Sequence, residues 1–150
     1  MNTPARSRAR SASRLAAVQA LYQRHMEKTP TARLLNEFHQ HRLGAEIEED
    51  QYEEAEVDFF DDIVSGVIAR DEEIDSALTA KLADGWTLAR LDKTMLQILR
   101  CGCYELMARQ DVPKATAISE YVDVAHAFFD EREAKFVNGI LDAVAKDVRS

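Results

Sequence analysis

Residues 91–109 read LDKTMLQILRCGCYELMAR, and their spacing decides the fold class. Met95, Ile98, Leu99, Gly102, Leu106 and Met107 recur at three- and four-residue steps, the repeat of one face of an α-helix. Asp92 stands where an N-cap belongs, and Asp111-Val112-Pro113 ends the run. The same repeat extends outward in both directions. Toward the C-terminus, Ile118, Tyr121, Val122, Ala125, Phe128 and Phe129 mark one helix, and Phe136, Val137, Ile140, Leu141 and Val144 mark another. Asp130 followed by Glu133 has the spacing of a capping box at the start of the latter. Toward the N-terminus, Ile74, Leu78 and Leu82 follow Asp71-Glu72-Glu73, acids that favour a helix start through its dipole. Val57, Phe60, Val64, Val67 and Ile68 give a further stripe. Leu15, Val18, Leu21, Tyr22 and Met26 predict a helix over about residues 12–27. A short helix follows the break at Thr29-Pro30, with Thr31 as N-cap and Leu34, Leu35 and Phe38 inward. About seven helices joined by short links predict an all-α fold, a compact bundle forming one domain over residues 1–150.

Composition removes most alternatives. Five glycines and three prolines in 150 residues leave too little turn chemistry for a sandwich or barrel. No stretch approaches ~18 uninterrupted apolar residues, so no membrane span is expected. No secretory segment follows the first arginines, which predicts a cytoplasmic protein. Cys101 and Cys103 lie two apart on a helix, so their side chains diverge by about 200° and cannot share a metal or close a disulfide. One of them is expected in the core and the other near the surface. Glu120, Asp123 and His126 resemble half of a carboxylate-bridged metal site, but no second half exists among His25, His39 and His41. No phosphate loop and no nucleophilic motif is present. The residues therefore predict no enzyme, no metal and no cofactor.

Charge is distributed unevenly. Residues 1–42 balance to +6, residues 43–75 to −13 and the remainder to −1, within a net charge of −8. Local field governs encounter within a Debye length of about 8–10 Å, so an acidic chain can still meet a polyanion at its basic end. Arg6, Arg8, Arg10 and Arg14 fall in a segment without a single acid. Residues 1–11 read as a basic flexible arm for nucleic acid, as a solvated terminus, or as a transit-peptide-like start. Arg6, Arg10 and Arg14 share one helical stripe if the first helix extends backwards on binding. Residues 44–56 are acidic and read as a mobile segment away from any phosphate. In Lys135-Phe136-Val137-Asn138-Gly139, a cation sits beside an aromatic plane, the pairing used for single-stranded nucleic acid. A core Phe beside a surface Lys fits the same spacing. Gly139 costs about 1 kcal/mol against Ala inside a helix, which implies a close approach of backbone or ligand there.

Taken together, these motifs resemble the NusB transcription antitermination proteins. Arg10-Ser-Ala-Ser-Arg14-Leu-Ala-Ala-Val-Gln-Ala-Leu-Tyr22 is similar to their arginine-rich opening. Ile98-Leu-Arg-Cys-Gly-Cys-Tyr104-Glu105-Leu106, Asp111-Val-Pro113, Ile118-x-Glu120 and Lys135-Phe-Val-Asn-Gly-Ile-Leu-Asp142 follow in the family's order. Ser11 and Ala12 depart from the pattern where relatives often carry arginine, and Arg6 and Arg8 supply the charge upstream. Met95 stands where many relatives carry an acid, with Asp92 one turn earlier. The resemblance implies an all-helical protein that binds a boxA-type single-stranded RNA with NusE, a small ribosomal-subunit protein. It implies loading of that complex onto RNA polymerase, chiefly in ribosomal RNA operons. Arg6, Arg8, Arg10, Arg14, Lys135 and Phe136 are then the expected RNA contacts, and Tyr22 and Asp92 the expected partner contacts. Self-association stays open. The competing reading is a helical protein–protein adaptor whose basic tail has no role.

Overall fold

The computed structural model describes residues 3–40 and 54–149, with side chains for 7–40 and 56–149. Helix begins earlier than the apolar stripe implies: α1 runs Thr3–Glu27. Pro4 lies in its first turn, where a missing N–H breaks no bond, and the alanines and arginines that follow are strong helix formers. Ser11 Oγ donates to the Ser7 carbonyl at 3.0 Å, bonding the helix to itself instead of breaking it. The stretch read as a basic arm is thus helical from Thr3 onward. Lys28, at φ 58, closes α1 in the left-handed region and its N–H donates to the Arg24 carbonyl at 2.7 Å.

α2 spans Thr31–Phe38 and α3 spans Glu54–Ala69. Thr31 is the first helical residue and not the cap; Pro30, at φ −59 and ψ 145, holds the N-cap position without a side-chain bond. The acidic segment 44–56 lies outside the described residues up to position 53. Its last part opens α3, and there Glu56 is buried at 2% exposure, contrary to a solvated reading. α4 (Asp71–Thr79), a short 3₁₀ turn (Leu88–Arg90), α5 (Lys93–Ala108), α6 (Lys114–Phe128) and α7 (Glu131–Val148) complete the order. Among the described residues there are seven α-helices and no strand, the all-α class the periodicity predicts.

Contacts group the chain into two compact units, residues 1–66 and 67–150. In the first, α1 packs on α2 and the buried set includes Val18, Leu21, Leu34, Phe38, Phe59, Phe60 and Ile63. The side α1 buries is largely alanine (Ala9, Ala16, Ala17, Ala20), while Met26 of the expected stripe is 54% exposed. Phe38 stacks on Phe60 with ring centroids 5.7 Å apart, and His39 meets Asp61 at 2.6 Å beside them.

α5 is the central element of the second unit, with α4, α6 and α7 around it. Asp92 caps it as the sequence predicts, accepting from the N–H groups of Thr94 at 2.8 Å and Met95 at 3.1 Å. Gly102 lets α7 approach: a Cβ there would meet Leu141 Cδ1 at 2.7 Å. The Glu105 carboxylate is fully buried and accepts the Tyr121 hydroxyl at 2.5 Å. Arg149 folds back to donate to the Leu106, Glu105 and Arg109 carbonyls at 2.9, 3.3 and 2.8 Å, covering the C-terminal end of α5. Asp130 precedes α7, yet its side chain makes no capping bond, so the capping box is not formed. Both cysteines are buried, which corrects the expectation of one near the surface. Burial, reinforced by Glu105, raises the Cys101 thiol well above its ordinary value, and burial with Asp75 and Glu73 raises Cys103 to about 12.

Candidate nucleic-acid interface

On α1, the four arginines divide by environment. Arg6 contributes a described backbone position in the helix. Arg8 is exposed. Arg10 and Arg14 instead lie over the ring of Phe59, with guanidinium carbons 4.4 and 4.9 Å from its centroid. Arg10 also meets the Glu56 carboxylate at 3.8 Å, and Ser13 Oγ donates to the Glu56 carbonyl at 2.9 Å. The bond from Ser13, the stacking and the ion pair fasten residues 10–14 of α1 to the start of α3. Arg14 is only 3% exposed, so its charge does not face solvent here. Local charge and the family resemblance placed Arg10 and Arg14 among the expected contacts; the aromatic under them comes from 45–49 positions along the chain and carries no local signal. Tyr22 is 39% exposed on α1.

In the second unit, α7 carries Lys135 and Phe136, the remaining expected RNA contacts. Lys135 is exposed and Phe136 is 37% exposed, so this Phe is not a core residue. Phe136 forms one wall of a groove of about 560 Å³ whose other walls include Trp86, Leu91, Met95 and Phe129, with Arg90 and Arg132 among its polar lining. Asp92 lines the same groove while serving as the α5 cap. Trp86 was not singled out by its spacing, because the segment it occupies has no helical period. Gly85, at φ +87, turns the chain there, and Arg90 lies 4.8 Å over the Trp86 ring while donating to the Gly85 carbonyl at 2.8 Å. Asn138 and Gly139 are both exposed on α7. A Cβ built on Gly139 would meet nothing within 4 Å among the described residues, so none of them requires the glycine.

Chemically, the described residues offer surfaces for binding: exposed guanidinium and ammonium groups, two aromatic faces and an apolar groove. Comparisons with known proteins agree with that character. A family model described as the NusB family matches residues 11–146. The transcription antitermination protein NusB of Novosphingobium aromaticivorans is 72% identical over 142 residues, covering 95% of this chain and 96% of that protein. Its counterpart in Sphingopyxis alaskensis is 66% identical over 144 residues, covering 96% of this chain and 97% of that protein. Among solved structures, NusB of T. maritima superposes with a TM-score of 0.75 at 29% identity, covering 92% of this chain and 91% of that one. A chain from a crystal structure of NusB and NusE in complex with double-stranded RNA gives 0.77 at 26% identity, covering 93% and 98%. With the arginine-rich α1, the α5 motif and the Lys135–Asp142 block each in place on its helix, the chain belongs to the NusB family.

Proposed function

We propose that this protein is a transcription antitermination factor that binds boxA-type single-stranded RNA together with NusE. The complex joins cytoplasmic RNA polymerase, chiefly on ribosomal RNA operons, and acts by binding without catalysis. The observation that carries this reading is the exposed Lys135 on α7 next to Phe136, whose half-open ring lines the groove. A cation next to an exposed ring supplies a phosphate contact and a stacking plane within one helical turn. Arg6 and Arg8 supply further phosphate contacts on α1, and Arg10 joins them by virtue of its partial exposure. Arg14 holds its place over Phe59 and acts by positioning. Tyr22, with a half-open ring and a hydroxyl, suits the edge of the NusE contact, and Asp92 lies at the groove where a partner would meet it.

Fluorescence anisotropy with a labelled boxA RNA, titrated with and without NusE, tests this. Wild-type protein is expected to bind more tightly when NusE is present. Lys135→Ala with Phe136→Ala should weaken RNA binding by roughly tenfold or more while leaving the helical signal intact. Tyr22→Asp should weaken the NusE complex with little effect on helix content. Unchanged RNA affinity in the double variant would move the RNA off this face of α7, and wild-type binding to NusE alone and never to RNA would establish the adaptor reading instead.

A further inference from the structure

We infer that Glu56 of α3 is a positioning residue for RNA: with Phe59 it holds the Arg10 guanidinium in place before a phosphate arrives. This rests on the RNA-binding reading above and adds a residue that the reading leaves out. On α1, Arg10, Ser13 and Arg14 fall within little more than one turn, and on α3 Glu56 and Phe59 stand three positions apart. The two turns meet. Both guanidiniums lie over the Phe59 ring, Ser13 Oγ donates to the Glu56 carbonyl at 2.9 Å, and the Glu56 carboxylate stands 3.8 Å from Arg10 Nε.

Burial decides what this carboxylate does. The Glu56 side chain is 3% exposed, withdrawn from water at a cost that nearby cations offset. Arg10 differs, because its side chain keeps 19% of its surface in solvent while its guanidinium rests on the ring beside the carboxylate. An arginine loose on a helix surface loses rotamer freedom when it grips a phosphate, and Arg10 has lost that freedom in the fold already. The carboxylate also offsets the repulsion between two like charges four positions apart on α1. Two cations and one anion leave the cluster net positive, so it still attracts a polyanion. Charge counting alone gives Glu56 the opposite role, since removing an acid beside a phosphate contact should tighten binding. The two accounts differ in sign.

Glu56→Gln, Arg10→Ala and the two combined, each in the full chain, separate these accounts when titrated against a fluorescein-labelled boxA RNA over a range of salt. Glu56→Gln should weaken binding by roughly three- to tenfold at every salt concentration and keep the salt slope, because Arg10 is loosened and not removed. Arg10→Ala should weaken binding and lower the slope of log K by about 0.7. In the Arg10→Ala background Glu56→Gln should add nothing, since the residue through which it acts is gone. Binding that Glu56→Gln leaves unchanged or tightens would overturn the inference alone. A Glu56→Gln loss that persists at full size without Arg10 would make its role general stability and overturn it too. If thermal melting shows Glu56→Gln unfolded at the assay temperature, Glu56→Asp takes its place, with a loss of roughly twofold or more that again vanishes without Arg10. Absence of RNA binding by the unsubstituted protein would remove the functional reading and this inference with it.

Discussion

Arg8 and Arg14 sit six positions apart on one helix and have opposite roles. Arg14 spreads its guanidinium on Phe59 and is buried, so Arg14→Ala removes packing as well as charge and should lower stability by about 1–3 kcal/mol in a denaturant melt. Arg8→Ala should leave the melt unchanged and reduce the salt slope of log K for RNA by about 0.7, one single-strand phosphate contact. Equal losses of binding from both substitutions, with no loss of stability from Arg14→Ala, would reverse these roles. The four arginines were visible in the sequence, but their division was not, because Phe59 and Glu56 reach α1 only through the tertiary fold. The cysteines pose the same problem. Their divergence follows from helix geometry, whereas the burial of both depends on neighbours from other elements. Both thiols are held protonated in the folded state by burial, Cys103 up to about 12 against an ordinary value near 9. Below pH 9 folded and unfolded chains bind that proton equally. Between pH 9 and 12 the unfolded chain releases it first, so stability falls as pH rises through that window. Iodoacetamide at pH 8 should accordingly label neither cysteine in native protein and both after denaturation.

At the scale of elements, apolar periodicity located each helix and missed the ends that depend on other things. α5 was legible from Met95 to Met107 and from its Asp92 cap, since all of that information is local. Its stop before Asp111-Val112-Pro113 was legible too, but the closing donors there were not, because Arg149 supplies them from 40 or more residues away. Arg149→Ala strips three donors from carbonyls at that end and should cost about 1–3 kcal/mol, with amide exchange accelerating first around Leu106 to Arg109. Uniform exchange rates across α5 in wild type and variant would show that water replaces the guanidinium without loss. Gly102→Ala belongs to the same scale. The gain in helix propensity is outweighed by displacement of the fully buried Leu141, and thermal melting should report a net loss.

Over the whole molecule, the all-α class followed from composition and period together, and the motif order pointed to the family. The groove beside Phe136 stayed hidden. It is assembled from an aperiodic turn around Trp86, the start of α5, the corner after α6 and the first turns of α7, which no single pattern joins. The charge asymmetry was legible as a sum and acquires its meaning from α1. A helix that runs unbroken from Thr3 to Glu27 converts residue number into phase, about 100° of rotation and 1.5 Å of travel per position. Insertion of one alanine between Arg8 and Ala9 leaves Arg10 and Arg14 seated on Phe59 but swings every earlier residue by roughly a quarter turn. Insertion of four brings them almost back into phase, about 6 Å further out. RNA affinity should therefore drop with the first insertion and recover in part with the second, an oscillation that a loose tether, indifferent to angle, would never produce.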